Sequence, residues 1–202
     1  MATINSNNLA VYALDSAMTT PMGVFVGTDT DAMTDILNSD APAGAQEDDY
    51  FLVVKADGSF IGIGKVNASG DTAAVTDATS TLTIVALATS SSLETSNSLN
   101  ETAARNGNGG STNFIASGAM TWSTSVDGLL DVAGATGSAV DIMDAARDKK
   151  YMIVKFDMDE GSGNTFYAGQ ALIESVSISG GVDDIATYSA SFSGYGDLYK
   201  GA

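Results

Sequence analysis

The sequence predicts a mainly β protein with one α-helix, and three observations carry that expectation. Gly (22 residues) and a Ser-plus-Thr share of roughly a fifth exceed the usual soluble proportions, with only 2 Pro present. Asp57-Gly58 separates two apolar runs, the strongest short-range signal for a β-hairpin. From Ala119 to Val126 the residues alternate. Met120, Trp122, Thr124 and Val126 share one face, and Ala119, Thr121, Ser123 and Ser125 the other, which is the period of a strand with Trp122 facing a core.

Residues 1–49 read as an acidic arm. Asp15, Asp29, Asp31, Asp35, Asp40, Glu47, Asp48 and Asp49 stand unopposed, because the first Lys is Lys55. Within the arm, Met22 to Gly27 is a short strand. An N-cap at Thr30 or Asp31 opens a helical turn with Met33, Ile36 and Leu37 on one face, and Ala41 to Asp49 is an exposed acidic loop. Residues 50–202 form the β domain, and the whole chain is expected as a single domain.

Tyr50 to Lys55 and Ser59 to Val66 are the arms of the Asp57-Gly58 hairpin. Residues 67–80 are small and polar and read as a loop. Thr81 to Leu87 reads as a buried strand, Ser92 to Leu99 as a weaker one, and Glu101 to Thr112 as a flexible loop broken by Asn-Gly and Gly-Gly. The Trp122 strand is expected to stop at Asp127-Gly128. Ser138 suits the N-cap of a helix ending at Arg147, with Val140, Met143 and Ala146 at one helical spacing and Ile142 and Ala145 at another. Lys149 and Lys150 follow at its negative end.

Tyr151 to Met158 is a strand, Asp159 to Asn164 a loop, and Phe166 to Ser179 the next strand. Its apolar phase flips. Ala171 and Ile173 are odd while Val176 and Ile178 are even, so a β-bulge at Glu174-Ser175 would bring both halves, Ile173 and Ile178 included, onto one core. The last strand runs from Ala186 to Gly194, with Tyr188, Ala190 and Phe192 opposite Thr187, Ser189, Ser191 and Ser193.

The chain has 202 residues and a net charge of −17, with no His and no Cys. That composition excludes disulfides, thiol chemistry, His-containing triads and nearly all catalytic zinc sites. An enzyme is the weakest reading: without His or Cys a glycosidase-type carboxylate pair is the only common option left, and it needs a cleft. The charge argues against gripping nucleic acid through its phosphates. The first twenty residues lack the basic and long apolar segments of a secretory leader, and no window approaches 18 apolar residues in a row. The expectation is synthesis in a cytoplasm and no membrane span.

The outward strand faces are unusual. Where a solvated sheet carries Lys, Glu and Thr, this one carries Thr121, Ser123, Ser125, Ser177, Ser179, Ser189, Ser191 and Ser193. Small uncharged side chains suit a sheet that packs on a neighbouring copy or forms a smooth wall. A Ser-rich style throughout an acidic protein would give the same pattern. Long edge strands without Lys also invite pairing between chains.

At this point the second half of the chain resembles a known family. The stretch GQALIESVSISGGVDDIATYSASFSGYGDL, Gly169 to Leu198, is similar to the closing hairpin of phage major tail proteins, the tail tube subunits of long-tailed phages. FIASGAMTWSTSVDGLLDV, Phe114 to Val132, resembles that family's tryptophan strand and turn. AVDIMDAARDKKYMIVKF stands where the family has its helix and next strand, and Ser92 to Gly110 is similar to the strand and loop before the tryptophan segment. The resemblance covers roughly residues 92 to 198; the acidic arm departs from it.

The resemblance implies a β-sandwich or partial barrel with one flanking helix. It implies a non-enzymatic virion protein without cofactors, forming homo-hexameric rings stacked into a tube. A tape-measure protein would lie inside during assembly, with tail tip or baseplate and terminator proteins at the ends, and DNA would pass without specific binding. Thr121, Ser123, Ser125, Asp183, Asp184, Ser189, Ser191 and Ser193 are the lumen or assembly candidates. The alternatives are a tube of a contractile or secretion apparatus and a surface adhesin or fibre module.

Other motifs have plainer explanations. Asp157, Asp159, Glu160 and Asn164 have the oxygen-rich look of a Ca²⁺ loop but not EF-hand spacing, and read first as a polar hairpin loop. Asp183-Asp184 could pair for acid/base work, yet no base or pocket accompanies them, so a turn between strands is the simpler account. Arg105 is either an inter-subunit anchor or a solvated loop residue.

Overall fold

The alternating segments pair into sheets in the computed structural model. It describes residues 9–14, 24–27, 47, 49–66, 75–77, 82–85, 88–104, 111–116, 118, 120–130, 139–158, 165–181 and 184–201. In chain order the elements are β1 (Leu9–Leu14), β2 (Phe25–Gly27), β3 (Tyr50–Lys55), β4 (Phe60–Val66), β5 (Val75–Asp77), β6 (Thr83–Ile84) and β7 (Ala88–Ser96). There follow β8 (Leu99–Ala104), β9 (Ser111–Ala116), β10 (Thr121–Leu129), α1 (Ala139–Arg147), β11 (Tyr151–Met158), β12 (Thr165–Ser179) and β13 (Thr187–Gly201).

The large sheet has seven strands in the order β6-β1-β11-β12-β13-β10-β7; a second has four, β2-β3-β4-β5; and β8 and β9 form a hairpin of their own. The large sheet is curved enough that Cα atoms of β1 and β7 approach within 8 Å although four strands separate them. It is an open barrel with two edges rather than a closed one.

Two cores hold these layers. On one face of the large sheet, Trp122, Val126, Met152, Val154, Phe156, Ala171, Tyr188, Ala190 and Phe192 pack with Ala139, Ile142 and Ala145 of α1. On the other face, Ile153 of β11 packs against Phe51, Leu52, Val53, Ile63 and Val66 of the four-stranded sheet. Met152, Ile153 and Val154 are buried in succession because the two faces of β11 each meet a different layer.

The helix ends as a Schellman motif. Lys150 N–H donates to Ala145 C=O at 3.0 Å and Lys149 N–H to Ala146 C=O at 3.2 Å, with Lys149 itself left-handed at φ 55°.

The bulge read from the phase flip is present: the β12–β13 register shifts between Ile173 and Ser175, leaving Glu174 exposed as the extra residue. Ile173 and Val176 consequently both pack on the α1 side. Ile178 does not, contrary to expectation. It is 42% exposed, because the hairpin runs beyond the layer that covers Ile173 and Val176.

Other differences concern pairing. The expected loop over 101–112 contains the ends of β8 and β9, which pair from Leu99↔Ala116 to Ala104↔Ser111. β10 continues through Asp127-Gly128, absorbing the pair as a register shift against β7. β13 runs on to Gly201, well past Gly194. Among the described residues of the expected strand 81–87, Thr83–Ile84 form strand β6, and Val75–Asp77 of the expected loop 67–80 is strand β5. The acidic arm contributes β1, paired with β11 and β6, and β2, parallel to β3. The helical turn expected at residues 30–37 lies outside the described residues.

Candidate functional site

The outward face of β7, β10, β13 and β12 forms one continuous polar surface. Strand register builds it in rows. Ser92, Ser125, Ser191 and Ser175 lie side by side across all four strands, and Ser90, Asp127, Ser189 and Ser177 form the next row. Glu94, Ser123 and Ser193 lie on one side of these rows, Thr187 and Ser179 on the other, and Ser96 pairs with Thr121 at the margin. Apart from Glu94, Asp127 and, in the flanking rows, Leu172 beside Ser193 and Leu129 beside Thr187, the face carries hydroxyls, and none of these positions is Lys or Arg.

The hydroxyls bond to one another. Ser92 and Ser125 Oγ atoms are 2.8 Å apart, and Ser175 and Ser191 Oγ atoms 2.7 Å. Ser90 Oγ donates to Asp127 Oδ2 at 2.9 Å. Hydrogen bonds from Ser189 and Ser90 hold the Asp127 carboxyl below the usual carboxylate value. Beneath it, burial and then the Asp127 charge push the Tyr188 phenol up to about 12. A shallow depression of about 320 Å³ at this end is lined by Thr89, Asp127, Ser177, Ser179, Thr187 and Ser189.

On the opposite face a tryptophan packs between two glycines. Trp122 lies one residue before Ser123, whose partner is Ser193, and packs against Gly194. Its indole lies against the backbone of both Gly194 and Gly169, so close that a Cβ at either would come within 3.0 Å of the ring. Nε1 donates to Gly196 C=O at 3.1 Å. Gly196, left-handed at φ 72°, opens the irregular stretch of β13 where Ala168↔Tyr199 and Gln170↔Tyr195 frame a shift in register.

The sequence-derived candidates fall into two groups. Thr121, Ser123, Ser125, Ser189, Ser191 and Ser193 all lie on the hydroxyl face. Asp184 is exposed in the β12–β13 turn, where its N–H donates to Gly181 C=O at 3.4 Å; Asp183 lies outside the described residues. Of the oxygen-rich loop, Asp157 is buried and its Oδ2 is 3.0 Å from Lys155 Nζ, while Asp159, Glu160 and Asn164 lie outside the described residues, as does Arg105. Among the described residues no cluster of three or more carboxylates could hold a metal ion.

Sequence reasoning missed the β7 contribution of Ser90, Ser92 and Ser96, and Ser175 on β12. The alternation of serines in ATSSSLETS was the available signal.

Fold and face together define a structural β subunit with a smooth, small-polar surface. The chain belongs to the phage tail tube protein family: the family's sequence model matches residues 65–200. It is thus a structural component of a phage tail. The fold is similar to a chain from the virion of a native gene transfer agent (GTA) particle, at TM-score 0.50 and 15% identity, covering 60% of this chain and 90% of that one. It is also similar to a chain from the tail of an empty GTA particle of C6 symmetry, at TM-score 0.50 and 16% identity, covering 60% and 87%. The SPP1 tail tube is similar at TM-score 0.45 and 19% identity, covering 61% and 69%. No curated protein matches the sequence.

Proposed function

We propose that this tail tube subunit assembles into six-membered rings that stack coaxially, with the face of β7, β10, β13 and β12 lining the bore. The single observation that carries this is the four-strand hydroxyl surface free of Lys and Arg. Each cationic contact to a phosphate would hold a moving duplex back, and hydroxyls with two carboxylates supply no positive charge. Thr121, Ser123, Ser125, Ser189, Ser191 and Ser193 then line the lumen, and Asp183 and Asp184 stand at the ring edge. The C6 symmetry of the GTA tail, built from a chain of similar fold, supports sixfold rings.

In this arrangement the subunit is not an enzyme and needs no cofactor. A tape-measure protein occupies the bore before DNA does, and terminator and tip or baseplate proteins close the two ends. The reading of the chain as a single domain is supported by β1, which pairs with β11 and β6, and by β2, which pairs with β3.

Negative-stain electron microscopy with light scattering on concentrated protein tests assembly. Rings or tubes with an open channel are expected, and a monomer at every concentration would overturn the proposal. The lumen assignment has its own test, helped by the absence of native Cys. Ser191→Cys in assembled tubes should react with a small maleimide but not with one carried on a bead too large to enter. Equal reaction of the bead with tubes and free subunits would place the face outside.

A further inference from the structure

The β12–β13 hairpin has two unlike ends. At its turn, Asp184 is exposed beside Ile185, which is 74% exposed, and Ile178 is 42% exposed close by. Asp183 adds a second carboxylate in the sequence. Isolated exposed apolar residues are ordinary; two isoleucines near the exposed Asp184 at the tip of a long hairpin form a surface of defined chemistry.

The other end carries the opposite chemistry. There the β3–β4 turn meets the end of β13 through a parallel bridge between Ser59 and Lys200. A depression of about 550 Å³ opens between them, lined by Lys55, Asp57, Ser59, Phe60, Lys200 and Gly201. Its walls are fixed. Ser59 N–H donates to Asp57 Oδ1 at 2.8 Å, and Phe60 stacks edge-on against Phe166 with ring centroids 5.3 Å apart. Two lysines against one aspartate leave this depression positive in a chain of net charge −17.

Among the other described cations, Lys149 and Lys150 follow the C-terminal end of α1. Arg147 bridges Asp144 and Asp148, Lys155 pairs with Asp157, and Lys65 lies over the Tyr50 ring. Lys55 and Lys200 make no ion pair with a described carboxylate.

The two ends lie on the order of 40 Å apart along β13, so one copy cannot join its own tip to its own depression. A second copy displaced along the hairpin can. A head-to-tail contact of this kind is heterologous and repeats without closing, as a growing tube requires.

We propose that the Asp184–Ile185 tip of one copy docks in the Lys55–Phe60–Lys200 depression of a copy in the next ring. Asp184 meets the two ammonium groups and Ile185 covers Phe60. This inference rests on the stacked-ring function proposed above and names the surfaces that stack.

Charge exchange tests it on the full-length chain. Tube length is measured by negative stain and light scattering, single rings by sedimentation, and folding by circular dichroism melts. Lys200→Glu and Asp184→Lys, each alone, should keep the parent melt and shorten tubes by roughly tenfold or more. The double exchange, Lys200→Glu with Asp184→Lys, should restore length to within about twofold of the parent. If a reversal unfolds the subunit, Lys55→Gln with Lys200→Gln serves in its place and should likewise shorten tubes.

Parent-length tubes from both single reversals, or a double exchange no better than the singles, would overturn the docking contact while leaving stacked rings standing. Failure of the parent itself to form rings or tubes would overturn both.

Discussion

A methyl group at position 194 has no room. Added to Gly194, a Cβ would come within 3.0 Å of Cε2, Cδ2 and Nε1 of Trp122, a core side chain only 4% exposed. The contact is with the fused middle of the indole rather than a flexible end, so either the ring tilts or β13 moves. Overpacking of this kind costs about 1–3 kcal/mol. Tilting the ring also pulls Nε1 from Gly196 C=O and leaves a buried N–H without its partner, a further 1–3 kcal/mol or so. Replacing a strand glycine returns about 0.5–1 kcal/mol, so Gly194→Ala should destabilise by about 2–4 kcal/mol in total. For a chain of this size that lowers the Tm by roughly 5–15 °C.

The assay is urea and thermal unfolding followed by fluorescence, which is clean because Trp122 is the sole tryptophan. In a Trp122→Leu background, where the fluorophore is gone and circular dichroism follows unfolding in both proteins, the same substitution should cost less than about 1 kcal/mol, since the ring that obstructs it is removed. Equal penalties in the two backgrounds, or a Gly194→Ala protein with parent Tm and parent emission, would refute the close approach of indole and backbone.

Ile173→Asp should cost about 3 kcal/mol or more by placing a carboxylate against the α1 core, whereas Ile178→Asp, already exposed, should change stability by less than about 1 kcal/mol; denaturant midpoints separate them. Lys149→Gly should stabilise by about 0.5–1 kcal/mol, because Lys149 holds a left-handed φ of 55° that Gly adopts without strain. Alkaline stability should depend on Tyr188. Its phenol ionises near 10 when unfolded but near 12 when folded, so the folded chain holds the proton longer and stability falls as pH rises through that window. Tyr188→Phe should flatten this slope in urea titrations between pH 9 and 12, and an unchanged slope would assign it elsewhere.

Much of the fold was legible because strand faces are written at a period of two. Trp122, Val126, Tyr188 and Phe192 declared their side, and the flip between Ile173 and Val176 declared a bulge that the β12–β13 register contains. Partners many residues away were not legible. LAVYAL in β1 carries no mark of β11, its neighbour across nearly 140 positions, and acidic composition around it suggested an arm. The hairpin of β8 and β9 was hidden by Asn-Gly and Gly-Gly, which report a turn without reporting where the flanking strands begin.

The hydroxyl face was half visible. Its serines on β10 and β13 showed in the alternation, but their fusion with β7 and β12 into rows depends on register that only the assembled sheet supplies. Alternation by itself determined that β10 and β13 have one apolar side and one small-polar side, since side-chain direction follows directly from backbone geometry. Tertiary structure decided which part of that second side is covered. Around Ile153 the four-stranded sheet packs against it, while the serine rows beyond remain bare, because β2 to β5 reach only one end of the large sheet. Coverage is a matter of which layers meet, and that follows from contacts between distant segments, not from the local pattern of either one.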